Sequence, residues 1–231
     1  MSFTCKRVVV KEGRKVLVNI SFEISKSFAL IGESGSGKSL TLKALLGMLP
    51  SSLEYSVEYE SDYTLERGDS IAMIPQNPFT ALSPLTRIKK QFFVHDEIIK
   101  EYLELVGLDR DIAYRFPSEL SGGQLQRVVI AMTLVLKPRL LLLDEPTTAL
   151  DSNSKEDILL LLQKLQQRDN FDMLFVTHDI SSVENLCDTI AILKEGRIVE
   201  KGEMQKVLKN PTNPYTKELI SSGFKKRNFR E

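Results

Sequence analysis

"FALIGESGSGKS", Phe28–Ser39, decides how this chain folds. Four apolar residues, Phe28 to Ile31, run without alternation into a loop carrying Gly32, Gly35 and Gly37, and a helical pattern begins at Lys38. A short continuous apolar run bounded by turn residues is the pattern of a strand covered on both faces. The loop fits G-x-x-x-x-G-K-[ST] and lies between strand and helix, the context in which such a loop binds phosphate. Its glycines let backbone N–H groups surround a β-phosphate. Lys38 sets a point charge on the β and γ oxygens, and Ser39 is suited to ligate Mg²⁺. A glycine-rich surface turn is the competing reading, and the flanking strand and helix count against it.

Upstream, "KVLVNISFEI" alternates: Val18, Ile20, Phe22 and Ile24 fall on one side and Asn19, Ser21 and Glu23 on the other, a half-buried strand. With "KRVVV" and the turn "EGRK" before it, an antiparallel hairpin is expected. Downstream, "IAMI", "RLLLL", "MLFV" and "TIAIL" are continuous apolar runs like "FALI", so a parallel sheet flanked by helices follows. Helices are expected from Lys38 to Leu49, stopping at Pro50, and from Asp96 to Val106, stopping at Gly107. A third runs from Lys155 to Gln167 behind Ser154, with Asp157 as capping-box partner. "KEGRIVEKGE" reads as a late hairpin and "FKKRNFRE" as a loosely held basic tail. Between Asn77 and Lys137 the sequence is helical in type only, entered past Pro75, Pro78 and Pro84. This is either a helical insertion or a set of helices packed on the sheet.

Bulk properties suit one sizeable domain of 231 residues with an ordinary core. Lys plus Arg equals Asp plus Glu at 31 each, so no global field marks nucleic acid or an anionic membrane as a partner. Cys5 and Cys187 stand far apart in no metal-like spacing and read as structural, reduced thiols of a cytosolic protein. No apolar h-region opens the sequence, and Lys137, Pro138 and Arg139 split the longest apolar stretches; neither a membrane span nor a cleaved signal is expected.

Three further elements carry chemistry. In "RLLLLDE" a buried strand exposes Asp144 at its carboxyl end, suited to bind Mg²⁺ through water, and then Glu145, suited to polarise an attacking water. Gln76 after "IAMIP" and His178 in "MLFVTHD" follow two other strands. Ligands of open parallel sheets bind at such strand ends, so these positions are expected to converge on one crevice. "LSGGQLQR", Leu120–Arg127, opens a helix with a serine and a glycine pair, a second place able to hold an anion.

Together these motifs resemble the ATP-binding subunit of ABC transporters along essentially the whole chain. "GESGSGKS" is similar to the family's phosphate loop, Gln76 to its Q-loop, "LSGGQ" to its signature and "LLLLDEP" to its magnesium strand with catalytic glutamate. "ALD", Ala149–Asp151, is similar to its D-loop and His178 to its switch histidine. The resemblance implies an α/β fold of the P-loop NTPase (RecA-like) class. Residues 1–76 and 138–205 would form the nucleotide-binding core with an N-terminal antiparallel β part, 77–137 an inserted helical signature subdomain, and 206–231 a C-terminal tail.

It also implies ATP and Mg²⁺ as cofactors. The nucleotide-contacting set runs from Gly32 through Glu33, Ser34, Gly35, Ser36 and Gly37 to Lys38, Ser39 and Leu40. Ser121, Gly122, Gly123 and Gln124 of the signature would contact the nucleotide of a partner, and Asp151 of the D-loop is also in the nucleotide-binding set. Glu145, His178, Gln76 and Lys38 take the catalytic roles, with Ser39, Gln76 and Asp144 at the metal. Two such subunits pair head to tail, each signature facing the γ-phosphate held by the other. The further partners are an integral membrane permease and, through it, a substrate-binding protein; nucleic acid is not among them. The expected location is cytoplasmic, peripheral on the inner face of the cell membrane.

"IPQNPFTALSPL", "RFPSELSGGQLQRVVIAMTL", "DEPTTALD" and "NPTNPYTKELI" resemble the importer subunits for oligopeptides, dipeptides and nickel or other metal chelates, Pro214–Thr216 being the most discriminating element. The alternative is the ATPase of a soluble ABC-type complex such as a phosphonate-degradation assembly. Phe79, Leu82 and Leu85 are candidates either for contact with the permease or for the core. The chain departs from the family in having no adenine-stacking aromatic near Val10 and Lys11, in the short link "SKS", and in ending soon after "NPYTKELI" without a cysteine-bearing extension.

Overall fold

Residues 3–225 are described by the structure, a computed structural model. The chain first forms β1 (Phe3–Glu12), β2 (Lys15–Ile24), β3 (Ser27–Ile31), α1 (Lys38–Leu45) and β4 (Glu54–Glu60). It continues through β5 (Ile71–Ile74), α2 (Pro78–Ala81), α3 (Asp96–Leu105), α4 (Gly122–Leu134), β6 (Leu140–Asp144) and α5 (Ser152–Asp169). It ends with β7 (Asp172–Thr177), β8 (Thr189–Lys194), β9 (Arg197–Glu203), α6 (Met204–Lys209) and α7 (Pro214–Lys225). Two compact units result: residues up to Arg67 together with those from Asp172 onward, and Gly68–Phe171.

In the first unit, β1 and β2 form the expected antiparallel hairpin, pairing Val8 with Ile20 and Val10 with Val18. The alternation of β2 reappears as burial: Val18, Ile20, Phe22 and Ile24 face inward and Asn19, Ser21 and Glu23 outward. On its other edge β1 pairs with β4, giving a three-stranded sheet in the order β2-β1-β4. β4 was not foreseen. Beside it β7, β3 and β8 run parallel, and the hairpin partner β9 lies antiparallel on β8. Phe28 to Ile31, Met173 to Val176 and Ile190 to Leu193 are all buried, as strands covered on both faces require.

α1 stops earlier than expected. Gly47 donates to the Ala44 carbonyl and Met48 to the Lys43 carbonyl, the bond pair that closes a helix at a glycine, so the helix does not run on to Leu49. The tail expected from 206 is helical as far as Lys225, in α6 and α7; the rest of the basic stretch, 226–231, lies outside the described residues.

In the second unit β5 and β6 pair in parallel, Ile71 with Leu140 and Ile74 with Leu143, and the Ser70 carbonyl accepts from both Arg139 and Leu140 N–H. Between Asn77 and Lys137 the described chain holds helices, short 3-10 turns and loops only. α4 is the centre of this unit's core, burying Leu125, Val128, Val129, Ile130, Ala131 and Leu134. It packs against α2, α3, β5 and α5, which is why β5, β6 and α5 share a unit with these helices. Arg127 ties α4 to the end of α3 by donating to the Val106 carbonyl at 2.6 Å. α5 begins three residues before the expected Lys155. Its cap is Asp151, whose carboxylate accepts the Ser154 N–H at 3.0 Å, so Ser154 is helical and not the cap.

Candidate functional sites in the two units

In the first unit, β3 delivers the chain to Gly32, whose N–H donates to the Thr177 carbonyl at the end of β7. A side chain at Gly32 would collide with the Leu193 carbonyl oxygen and lie 2.6 Å from Ser36 Oγ, so only glycine fits. The loop then turns through Gly35 and Gly37 at positive φ, and Gly37 caps α1 without any side-chain bond. A helix start with no side-chain cap directs its first N–H groups and its positive end outward, the arrangement that binds phosphate. Lys38, only 6% exposed, folds its ammonium onto the Gly32 and Glu33 carbonyls at 2.8 and 2.9 Å. Glu33 also accepts the Ser36 N–H at 3.2 Å.

The cradle is braced from outside by the β8–β9 turn. Gly196 donates to the Ser36 carbonyl at 2.9 Å and accepts from Asn19 N–H at 2.8 Å, and any Cβ there would strike the Leu17 carbonyl. Ser34, Ser39 and Leu40 complete the loop and the first turn of α1. His178 follows β7 directly, exposed, one residue beyond the carbonyl that holds Gly32. Asp179 fixes the turn after it, accepting from Ser181 N–H at 3.0 Å while its own N–H donates to Thr177 Oγ1. Near the expected adenine position, Val10 is buried and Lys11 exposed.

In the second unit the parallel register of β5 and β6 brings Gln76 and Glu145 together. Gln76 Nε2 lies 3.4 Å from Glu145 Oε2, and Thr148 Oγ1 donates to the same oxygen at 3.1 Å. Glu145 has φ 46, a left-handed backbone that a residue with a Cβ adopts at a cost of about 1–3 kcal/mol and that concentrates at functional sites. Asp144, half-buried, closes β6 just before it. Thr148 was missed in the sequence, although "DEPTT" places it three residues on, where its N–H returns to the Glu145 carbonyl.

The signature forms a reciprocal cap in the same unit. Ser121 Oγ accepts the Gln124 N–H at 3.2 Å, and the Gln124 amide oxygen accepts the Ser121 N–H at 3.0 Å. The D-loop lies alongside: a Cβ on Gly122 would sit 3.7 Å from Leu150, and one on Gly123 3.3 Å from Ser154 Oγ. The Ser154 N–H and hydroxyl hold the Asp151 carboxyl below its ordinary range, so that residue is ionised where it caps α5. Of the three apolar candidates, Leu82 is 5% exposed and belongs to the core, whereas Phe79 and Leu85 are 56% and 88% exposed.

The donor set of the cradle fits a nucleotide triphosphate: a loop closed to side chains, an uncapped helix start and a buried ammonium. Among the described residues no group of three or more His, Cys, Asp or Glu is placed to hold a metal by itself. That suits Mg²⁺, which takes one or two protein ligands and completes its shell with phosphate oxygens and water. No helix among the described residues is long and apolar enough to cross a membrane.

Comparison with known proteins supplies the remaining observations. A family profile described as "ABC transporter" matches residues 17–148. The chain is 41% identical over 233 residues to the uncharacterized ABC transporter ATP-binding protein YejF of Escherichia coli and 38% identical over 232 residues to the oligopeptide transport ATP-binding protein OppD of Bacillus subtilis. In both alignments 89% of this chain is covered, but it spans only 44% and 65% of those proteins, less than two thirds of either. With the metal-staphylopine import system ATP-binding protein CntD of Staphylococcus aureus it shares 34% identity over 89% of this chain and 85% of that one. Among solved structures, the ATP-binding cassette MJ0796, a dimer in a post-hydrolysis state bound to ADP and Pi, superposes with a TM-score of 0.71 at 28% identity, covering 88% of this chain and 99% of that one.

Proposed function

The chain belongs to the ABC transporter family, and from that premise we propose that it is the ATP-binding and ATP-hydrolysing subunit of a membrane importer for peptides or metal chelates. Each unit carries its own set of candidate residues. In the first, the backbone N–H groups from Gly32 to Leu40 hold the phosphates, Lys38 neutralises the β and γ oxygens, Ser39 ligates the metal and His178 contacts the γ-phosphate or the attacking water. In the second, Glu145 takes the proton of that water, Gln76 orients water and metal, and Asp144 binds the metal through water. Mg²⁺, when bound, neutralises charge on the β- and γ-phosphates.

The observation that carries hydrolysis rather than storage is Glu145, held in a left-handed backbone with its carboxylate fixed by Gln76 and Thr148. A general base must be oriented before it contributes, and such a group typically contributes about 10²- to 10⁴-fold. Ser121, Gly122 and Gly123 act on a second copy or a homologous subunit. Their capped helix start adds positive potential at that partner's terminal phosphate, so ATP joins the pair and its cleavage releases it. Phe79 and Leu85, left exposed on the second unit, are the residues assigned to the permease. The named relatives are transport subunits, which favours import over a soluble assembly.

Phosphate release by the purified chain tests this reading. Specific activity that rises with protein concentration and collapses in Ser121→Ala supports it. Activity indifferent to both overturns it.

A further inference from the structure

The turn that follows β6 holds the Glu145 carboxylate from within its own backbone. Glu145 and Pro146 open a turn that closes where the Thr148 N–H donates to the Glu145 carbonyl at 3.2 Å. Proline suits the second position of such a turn, because its ring fixes φ near the value required there. Pro146 and Thr147 are buried, Thr147 being 6% exposed. A second turn overlaps the first, the Leu150 N–H donating to the Thr147 carbonyl at 3.2 Å, and α5 begins directly after it under the Asp151 cap. Thr148 therefore stands on backbone fixed before and behind it, and its hydroxyl donates to Glu145 Oε2 at 3.1 Å.

Two donors meet that oxygen, and they differ in origin. The Gln76 amide reaches it at 3.4 Å, a long contact, and does so from another strand, across the β5–β6 pairing. Thr148 lies three residues from Glu145 in the same turn, so its hold needs no agreement between two strands. A glutamate side chain turns about several torsions, and a carboxylate left to sample them all is seldom aimed at one water. Anchoring one of its oxygens narrows the set, which is how an orienting group speeds proton abstraction without touching the substrate.

We propose that the Thr148 hydroxyl is a positioning group for hydrolysis: by fixing Oε2 of Glu145 from within one turn, it keeps the base aimed at its water. The inference rests on the reading of Glu145 as the general base. Thr148 is exposed and water competes for its hydroxyl, so the effect belongs to the ordinary hydrogen-bond class, about threefold to tenfold in kcat. Affinity for ATP should not change, because Thr148 is none of the groups assigned to phosphate.

The test compares the purified chain with Thr148→Val, Thr148→Ser, Glu145→Gln and the double variant Thr148→Val/Glu145→Gln. It measures the kcat and KM of phosphate release, the Kd for a fluorescent ATP analogue and the thermal midpoint. Valine keeps the shape of threonine and removes only the hydroxyl, so at an exposed position the midpoint should hold. Expected are a kcat lowered about threefold to tenfold in Thr148→Val, with KM and Kd within about twofold, and recovery of most of that loss in Thr148→Ser. In the Glu145→Gln background the same valine should lower single-turnover release no further. Should Thr148→Val fail to fold, Thr148→Ala takes its place. An unaltered kcat in Thr148→Val, while Glu145→Gln loses turnover, overturns the role of Thr148. So does an equal loss in Thr148→Val and Thr148→Ser, or a full further loss in the double variant. Near-normal turnover in Glu145→Gln instead overturns the reading of Glu145.

Discussion

The side-chain amide of Gln76 and the carboxylate of Glu145 meet at 3.4 Å, although one follows β5 and the other β6. The parallel register that pairs Ile74 with Leu143 brings the two strand ends level, so a carboxylate and the group that orients it arise from one backbone arrangement.

Glu145→Gln keeps the shape and the hydrogen-bonding reach of this side chain but removes its basicity. Nucleotide binding should persist while turnover falls about 10²- to 10⁴-fold, and an ATP-bound dimer should accumulate. Single-turnover phosphate release with size-exclusion chromatography reads both; near-normal turnover would refute the assignment.

Lys38→Ala removes a buried ammonium bonded to two loop carbonyls. The charge-assisted contacts it offers a phosphate correspond to about tenfold to a hundredfold in affinity. Equilibrium titration with labelled ATP checks this, and an unchanged affinity removes Lys38 from its role.

Gly196→Ala introduces a methyl against the Leu17 carbonyl in a backbone at φ 74. The turn must shift, at a cost of about 1–3 kcal/mol, and the bond to Ser36 shifts with it. Urea denaturation should show the loss of stability and nucleotide titration a weaker cradle. A variant normal in both would mean that the brace on Ser36 is dispensable.

Burial pushes the Cys5 thiol up to about 12, against the smaller opposing pull of the Arg7 backbone, and burial aided by Asp188 pushes Cys187 higher still. Thiolate at Cys5 is then about one part in ten thousand at pH 8. Ellman's reagent should find both thiols silent in the native protein and both reactive in guanidinium. Fast modification of either without unfolding contradicts this.

Much of the fold was legible because it is local. Strand, glycine loop and helix lie consecutively in Phe28–Leu45, and the alternation of Lys15–Ile24 depends only on which face is wet. β4 was not legible: "EYSVEYE" is mostly exposed and joins the sheet through its pairing with β1, a partner far away in sequence. At the start of α5, Ser154 and Asp151 both suit a cap, and only the Ser154 N–H bonded to Asp151 decides between them. Phe79 and Leu82 belong to a segment of one helical turn, too short for periodicity to separate exposed from buried. The candidate site residues rest on type and spacing alone. Thr148 behind Glu145 and Gly196 behind Ser36 were not legible, since each acts through a neighbour that folding brings to it.

The reciprocal bonds between Ser121 and Gln124 have a kinetic consequence. Because the backbone N–H groups of both residues are already answered within the chain, this corner is shaped by its own bonds before anything meets it. An encounter there need not wait for a loop to order. Its rate is set by diffusion and orientation, and the lifetime of the resulting pair by what the phosphate offers.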